Sequence, residues 1–505
     1  MFGKHLDKDT EIQHIETSPE IDSNAMIDTA NSVAATFDEA AEVKLRWKTD
    51  LYVIPTVAML YFLCFIDRVN IGNARLAGLE SSLSLSGYDY NMLLSTFYIS
   101  YILFEIPMNW LCKFMGPGWF LPLMTLIFGI LTICFAFVTD KHSAAAVRFL
   151  LGVFESGILP GIAYYLSRFY RRSELAFRLA LYIVMGPLSG AFSGLLASAI
   201  LRLDSFGGTH GWQMIFVIEG IITVGFALLA FLTLTDRPET ARWLNATEKK
   251  LAIARVVSER VAATEVLDNF DKKKIIRGIV NPVVIPTAWV LLFINITVQG
   301  ISFFTPTVVR SLYPTRSVVT QQLYSVPPFV AGSLFTLVFC YLAWKLDRRN
   351  IIMIAGSLVS LLGFAIFLGS STKQTSLRYA ATFIGASGSF AFGALCNAQV
   401  SANVVSDTAR SSAIGFNVMI GNIGGLISTW SYLPGDGPDY HIGSGLNIAA
   451  LGMVLLICVG IEVWMNRDNK RRQNEEFKAL DKLRGMNLSD IQDLEYKHPA
   501  FRWKA

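Results

Sequence analysis

Of 505 residues, 53% are hydrophobic and 16% charged, with a formal net charge of +4 and a mean hydropathy of +0.45. No soluble globular chain of this size needs so much apolar surface, so the composition points to a polytopic membrane protein. The small net charge singles out no class of partner, and nucleic acid is not expected among them.

The first 43 residues carry ten acidic and two basic side chains and no apolar stretch of the signal-peptide kind. Residues 1–46 therefore read as a disordered cytosolic tail. Apolar runs long enough to span a bilayer follow near 51–74, 89–112, 117–139, 143–167, 177–202 and 212–235. The pattern resumes near 284–310, 321–345, 350–370, 376–402, 408–433 and 442–466. The expected fold is an all-α integral membrane protein with twelve transmembrane helices in two six-helix halves, 47–235 and 284–466. Residues 236–283, with ten Lys or Arg and seven acidic side chains, read as a cytosolic linker, and 467–505 as a cytosolic C-tail. Basic side chains gather on one set of connections: Lys113; Arg168, Arg171, Arg172 and Arg178; the linker; Lys345, Arg348 and Arg349; and Arg410. The Lys/Arg bias places that set and both termini in the cytosol.

Charges inside the spans are the features that call for explanation. The first span ends in YFLCFIDRVNIGNARLAGLE, which puts Asp67 and Arg68 side by side. Asp67 lies about 24 Å along a helix from Leu51, within a hydrocarbon core of about 30 Å. In the fourth span Arg148 and Glu155 share a helix face about 10 Å apart. Two arginines and two carboxylates at overlapping depths neutralise one another when empty and exchange partners when an anion or a proton arrives. A static ion-pair network that only fixes packing is the competing reading, although buried pairs are weak devices for stability. On the functional reading Arg68 and Arg148 bind a substrate carboxylate, and Glu155 is the main proton site with Asp67 second. Glu105, two residues before Pro107, is a further candidate for proton coupling, and Glu219 a weaker one.

The second half carries amides and hydroxyls in place of acids. Asn295 and Gln299 stand one turn apart in the seventh span, Asn397, Gln399 and Asn403 lie in the tenth, and Asn417 and Asn422 in the eleventh. Asn295, Gln299, Asn397 and Asn403 are expected to contact substrate, although such residues also serve as helix-to-helix hydrogen bonds. Gly186, Gly190 and Gly194 recur every four residues and fit a close helix contact. The six cysteines (Cys64, Cys112, Cys134, Cys340, Cys396, Cys458) lie in or at the ends of apolar segments, so neither a disulfide framework nor a metal site is indicated. With no GxxxxGK[ST], HExxH or CxxC motif, no catalytic set and no cofactor are expected, and the chain does not read as an enzyme.

Five stretches together resemble the major facilitator superfamily and, within its anion:cation symporters, the fungal allantoate permease family. They are FIDRVNIGNARLAGLE (65–80), FYISYILFEIPMN (97–109), RFLLGVFESGILPG (148–161), YYLSRFYRRSE (164–174) and GWQMIFVIEG (211–220). The family's loop motif between spans two and three departs here to LCKFMGP, Leu111 to Pro117, while KLDRR, Lys345 to Arg349, keeps its second-half counterpart. The resemblance implies a plasma-membrane, monomeric transporter that imports a small organic carboxylate with protons. It also implies that Asp67, Arg68, Arg148 and Glu155 carry that work. A proton antiporter exporting organic anions or drugs, and a transporter-like nutrient sensor, remain as alternatives.

Overall fold

The computed structural model describes residues 39–203, 209, 211–258, 272–405, 407–481, 494–499 and 501–504. A backbone in lipid must satisfy its own polar groups, and these apolar runs do so as helices. The first half comprises α1 (Glu39–Leu76), α2 (Asp89–Met115), α3 (Pro117–Phe135), α4 (Lys141–Phe169), α5 (Leu181–Ile200) and α6 (Trp212–Thr233). The second comprises α7 (Val284–Leu312), α8 (Val318–Leu346), α9 (Arg349–Gly369), α10 (Thr375–Asn403), α11 (Asp407–Ser428) and α12 (His441–Asp481). Ten of these, among the described residues, are long and apolar enough to cross a membrane. The other two are α2, which carries Glu105 and Lys113, and α11, whose apolar part is the shorter Ser412–Ser428.

Two helices are interrupted at corresponding places in the two halves. α4 breaks at Ser156–Gly157, directly after Glu155, and α10 breaks at Phe390–Ala391. A side chain at Gly157 would run into the Phe120 ring, so α3 approaches closely at the break. Paired interruptions of this kind mark the binding region in transporters built from repeats.

α1 begins at Glu39, inside the stretch read as a tail, and its first turns are tied down: Leu45 is 2% exposed. Glu42 pairs bidentately with Arg171 at 2.8 and 3.2 Å, and Lys48 with Glu248 at 2.7 Å. The rest of the acidic tail, residues 1–38, lies outside the described residues. The linker divides its contacts. Its first helix, Ala246–Ser258, joins the first half through Arg255–Glu174, while its second, Lys272–Ile279, packs on α11 where Gly278 meets Ala409. α12 runs on past the membrane, and the last residues fold back on it. Trp503 is buried against Val283, Ile461 and Met465, with its indole N–H donating to Asp468 at 2.7 Å.

The halves meet along α1/α7, α2/α11 and α5/α8. At the end remote from the basic loops this seam is bonded. Asn91 donates to the Thr429 carbonyl at 2.5 Å, the Trp430 indole to Ser95 at 2.9 Å, and Gln322 to the Asn73 carbonyl at 3.0 Å. Two glycines of the α5 stripe lie on the same seam: a Cβ at Gly190 would sit 2.6 Å from the Phe329 ring, and one at Gly194 3.0 Å from Val326, whereas Gly186 faces Phe65 of α1. Overpacking such a contact costs about 1–3 kcal/mol, roughly a tenfold shift or more in an open–closed equilibrium. Gly190→Leu is therefore expected to hold this end apart. Oxidative crosslinking of Asn91→Cys to Thr429→Cys should fall about tenfold in the Gly190→Leu background; undiminished crosslinking would refute the role given to the stripe.

Candidate functional site

α1 and α4 bring the four charged residues of the first half together, and all four are buried: Asp67 3%, Arg68 6%, Arg148 2% and Glu155 0% exposed. Their pairing crosses between helices. The Arg68 Nε donates to Glu155 at 2.9 Å, and the Arg148 Nη1 approaches Asp67 at 3.7 Å. Sequence neighbours on a helix point about 100° apart, so Asp67 and Arg68 cannot face one another. Arg148 and Glu155 share a face but stand two turns apart. Each residue of α1 therefore finds its partner on α4.

The surroundings finish the geometry. Thr132 of α3 donates its hydroxyl to Asp67 at 2.9 Å, and the Cys64 thiol to Glu155 at 3.2 Å. Aromatic rings sheathe both guanidinia: Tyr101 lies 4.6 Å and Phe97 5.4 Å from that of Arg68, and Phe135 4.6 Å and Phe216 5.7 Å from that of Arg148. Cation–π attraction holds an arginine in an apolar place without consuming its N–H donors. Donors are indeed left over. The Nε and Nη2 of Arg148 are buried and have no hydrogen-bond partner among the described residues. These two atoms form one edge of the guanidinium, the edge that grips a carboxylate with parallel N–H groups. A small cavity lies beside them, lined by Arg68, Leu94, Phe97, Arg148 and Phe303. It has room for about one water, in keeping with a seam closed at one end.

The remaining candidates are placed differently. Glu105 stands one turn beyond Tyr101 and accepts from Asn422 of α11 at 3.1 Å, a link between the halves near the charged cluster. Glu219, on α6, is buried with both carboxyl oxygens unbonded among the described residues. Gln299 is buried one turn before the cavity-lining Phe303, and its carbonyl oxygen is also unbonded. Asn295 instead donates to the Gly421 carbonyl at 3.0 Å, and Asn397 accepts from Asn417 at 2.8 Å. Asn403 is engaged at the end of α10: its amide donates to the Lys504 carbonyl at 2.9 Å and its oxygen accepts from the Lys504 N–H at 2.9 Å. Those three amides hold helices and the chain terminus. The residues missed from sequence are Cys64, Leu94, Phe97, Tyr101, Thr132, Phe135, Phe216 and Phe303. Helical spacing was the available signal for two of them, since Cys64 precedes Arg68, and Tyr101 precedes Glu105, by one turn.

Comparison with known proteins agrees with this architecture. The family model described as Major Facilitator Superfamily matches residues 57–429. An uncharacterized transporter of Schizosaccharomyces pombe is 32% identical over 470 residues, covering 92% of this chain and 91% of its own. The high-affinity nicotinic acid transporter of Saccharomyces cerevisiae is 29% identical over 469 residues, covering 92% of this chain and 85% of its own. Among solved structures, a bacterial homolog of the human lysosomal transporter Spinster, in an inward-facing and unoccupied conformation, superposes with a TM-score of 0.61. It shares 16% sequence identity and covers 81% of this chain and 95% of its own.

Proposed function

The chain belongs to the Major Facilitator Superfamily, and on that premise we propose that it imports a small organic carboxylate together with protons by alternating access, in the manner of the allantoate permease type. The observation that carries this reading is the vacant Nε/Nη2 edge of Arg148, buried beside a cavity and free of any partner among the described residues. A guanidinium stays charged in any protein environment, so an idle buried fork is a standing site for an anion.

Charge balance supports the proton. Two buried carboxylates (Asp67, Glu155) balance two buried guanidinia (Arg68, Arg148), so an anion that enters this neutral cluster is compensated only when a proton enters with it. In the proposed cycle an anion reaches the Arg148 fork and competes with Glu155 for Arg68. The released Glu155 carboxylate, enclosed and short of a cation, takes up one proton from the aqueous entrance. Anion and proton then cross as a compensated pair when the two halves rock about the α5/α8 and α2/α11 seams. The Lys/Arg asymmetry supports a multi-pass protein with both termini cytosolic. The relative named for nicotinic acid supports a carboxylate as cargo.

The test is uptake in cells lacking their own carboxylate permeases, with labelled nicotinate, allantoate, pantothenate and succinate offered one at a time. Accumulation that rises when the medium is acidified is the expected result. Faster loss of preloaded label would identify an exporter, and signalling without flux a sensor; either outcome overturns the reading.

A further inference from the structure

Residues 501–504 are held in a receptacle that transport as described above does not call for. Trp503 is 4% exposed, its ring seated against Val283, just before α7, and against Ile461 and Met465 of α12. Trp464 and Phe501 stand 5.3 and 4.9 Å from it, and the Arg472 guanidinium 5.3 Å. Two asparagines grip the backbone on either side. Asn469 of α12 accepts from the Trp503 N–H and donates to its carbonyl, both at 2.9 Å. Asn403, the last residue of α10, does the same for Lys504 at 2.9 Å each way, and Gln399 adds a bond to the Lys504 carbonyl at 3.0 Å. Main-chain bonds give such a contact its hold, and the Trp503 pocket gives it specificity. The strap is a strut from α12 to the end of α10.

That end of α10 is set apart from the rest of the helix. The interruption at Phe390–Ala391 leaves Phe392–Asn403 as a segment of its own, and the segment touches the first half, where a Cβ at Gly393 would lie 3.5 Å from Ile183. Residues at the end of an element are where a hinge absorbs its change of angle. We propose that the C-terminal strap is a built-in brake. Docked, it holds the segment Phe392–Asn403 in the position that accompanies a closed outer end, and its release lets that end open. A ligand shifts an equilibrium only through its different affinities for the two states. The strap meets this condition because its receptacle is assembled from α12, the approach to α7 and the end of α10. Asn281 fixes the last two together through its bond to the Asn403 carbonyl at 3.1 Å. When the segment turns at its hinge, Gln399 and Asn403 part from the Trp503 pocket, and the strap can no longer satisfy both.

The experiment reads the outer end directly, on the full chain in nanodiscs, where both faces are open to added reagents. Oxidative crosslinking of Asn91→Cys to Thr429→Cys needs no substrate, so the inference stands or falls whatever the cargo proves to be. Trp503→Ala, which empties the pocket, is expected to slow that crosslinking about tenfold, a shift that one or two hydrogen bonds can supply. A peptide of residues 494–505, added in excess to the Trp503→Ala protein, should restore the rate, and the same peptide carrying Trp503→Ala should not. Rescue by the added peptide separates an emptied receptacle from a misfolded protein. Crosslinking that is unchanged or faster in Trp503→Ala overturns the inference. So does slowed crosslinking that the peptide fails to restore, or that both peptides restore equally.

Discussion

Arg148→Lys is expected to lower kcat/KM for carboxylate uptake by about 100-fold or more while the protein still reaches the membrane. Lysine keeps the positive charge, so Asp67 retains a counter-ion and the buried pair is not left as a lone anion. What disappears is the parallel pair of N–H donors on the unbonded edge, together with the flat face that lies 4.6 Å from Phe135. Hydrogen bonds to charged groups contribute about 1.5–3 kcal/mol each, and about 3 kcal/mol is already 100-fold. Uptake kinetics would be read beside thermal unfolding of the purified variant, so that lost binding is separated from lost protein. Wild-type affinity and rate in Arg148→Lys would remove Arg148 from the binding site. Arg68→Lys is expected to be harmful for a related reason, because its Nε bond to Glu155 and its stacking on Tyr101 both depend on the planar group.

The charged cluster was legible in the sequence because charge in an apolar run is conspicuous. Asp67, Arg68, Arg148 and Glu155 need no structure to be noticed. Their pairing was not legible, since it depends on how α1 is rotated against α4, and one residue of rotation would exchange the partners. The aromatic sheath was hidden for the opposite reason. Phe97, Tyr101, Phe135 and Phe303 look like any lipid-compatible core residue until a guanidinium is seen beside them. Asn403 shows a third limit. Its amide was read as a substrate contact, but the groups that bond it belong to Lys504, about a hundred positions later, and no local pattern announces such a contact. The twelve-helix plan, by contrast, follows from length and hydropathy alone. Boundaries slipped most where helices run on beyond the apolar stretch, as at Glu39–Leu45, where α1 continues under the linker helix, and in α12, which continues to Asp481.

Glu155→Gln is expected to separate binding from energy coupling. Glutamine has the shape of a protonated glutamate and cannot ionise, so it imitates the loaded state permanently. Its oxygen can still accept from the Arg68 Nε, now at 2.9 Å from the carboxylate, and from the Cys64 thiol, so the local packing has no reason to collapse. Arg68 is then freer to turn towards an anion, and substrate affinity should hold or rise. What the variant lacks is a site that gains a proton when substrate arrives and loses it when substrate leaves. With one proton per anion, each pH unit across the membrane supports about a tenfold concentration ratio, equivalent to about 1.4 kcal/mol. Wild-type protein in liposomes with an acidic exterior should approach that ratio, whereas Glu155→Gln should stop at equal concentrations inside and out. Counterflow, the exchange of labelled for unlabelled substrate, needs no net proton movement and should survive. Both measurements belong on the same preparation, so that intact counterflow certifies a folded and inserted transporter. Uphill accumulation at the wild-type level by Glu155→Gln would make this carboxylate a structural partner of Arg68. The coupling proton would then fall to Asp67, whose Oδ2 is unbonded beside Arg148, or to Glu105, whose Oε1 is unbonded near the seam between the halves.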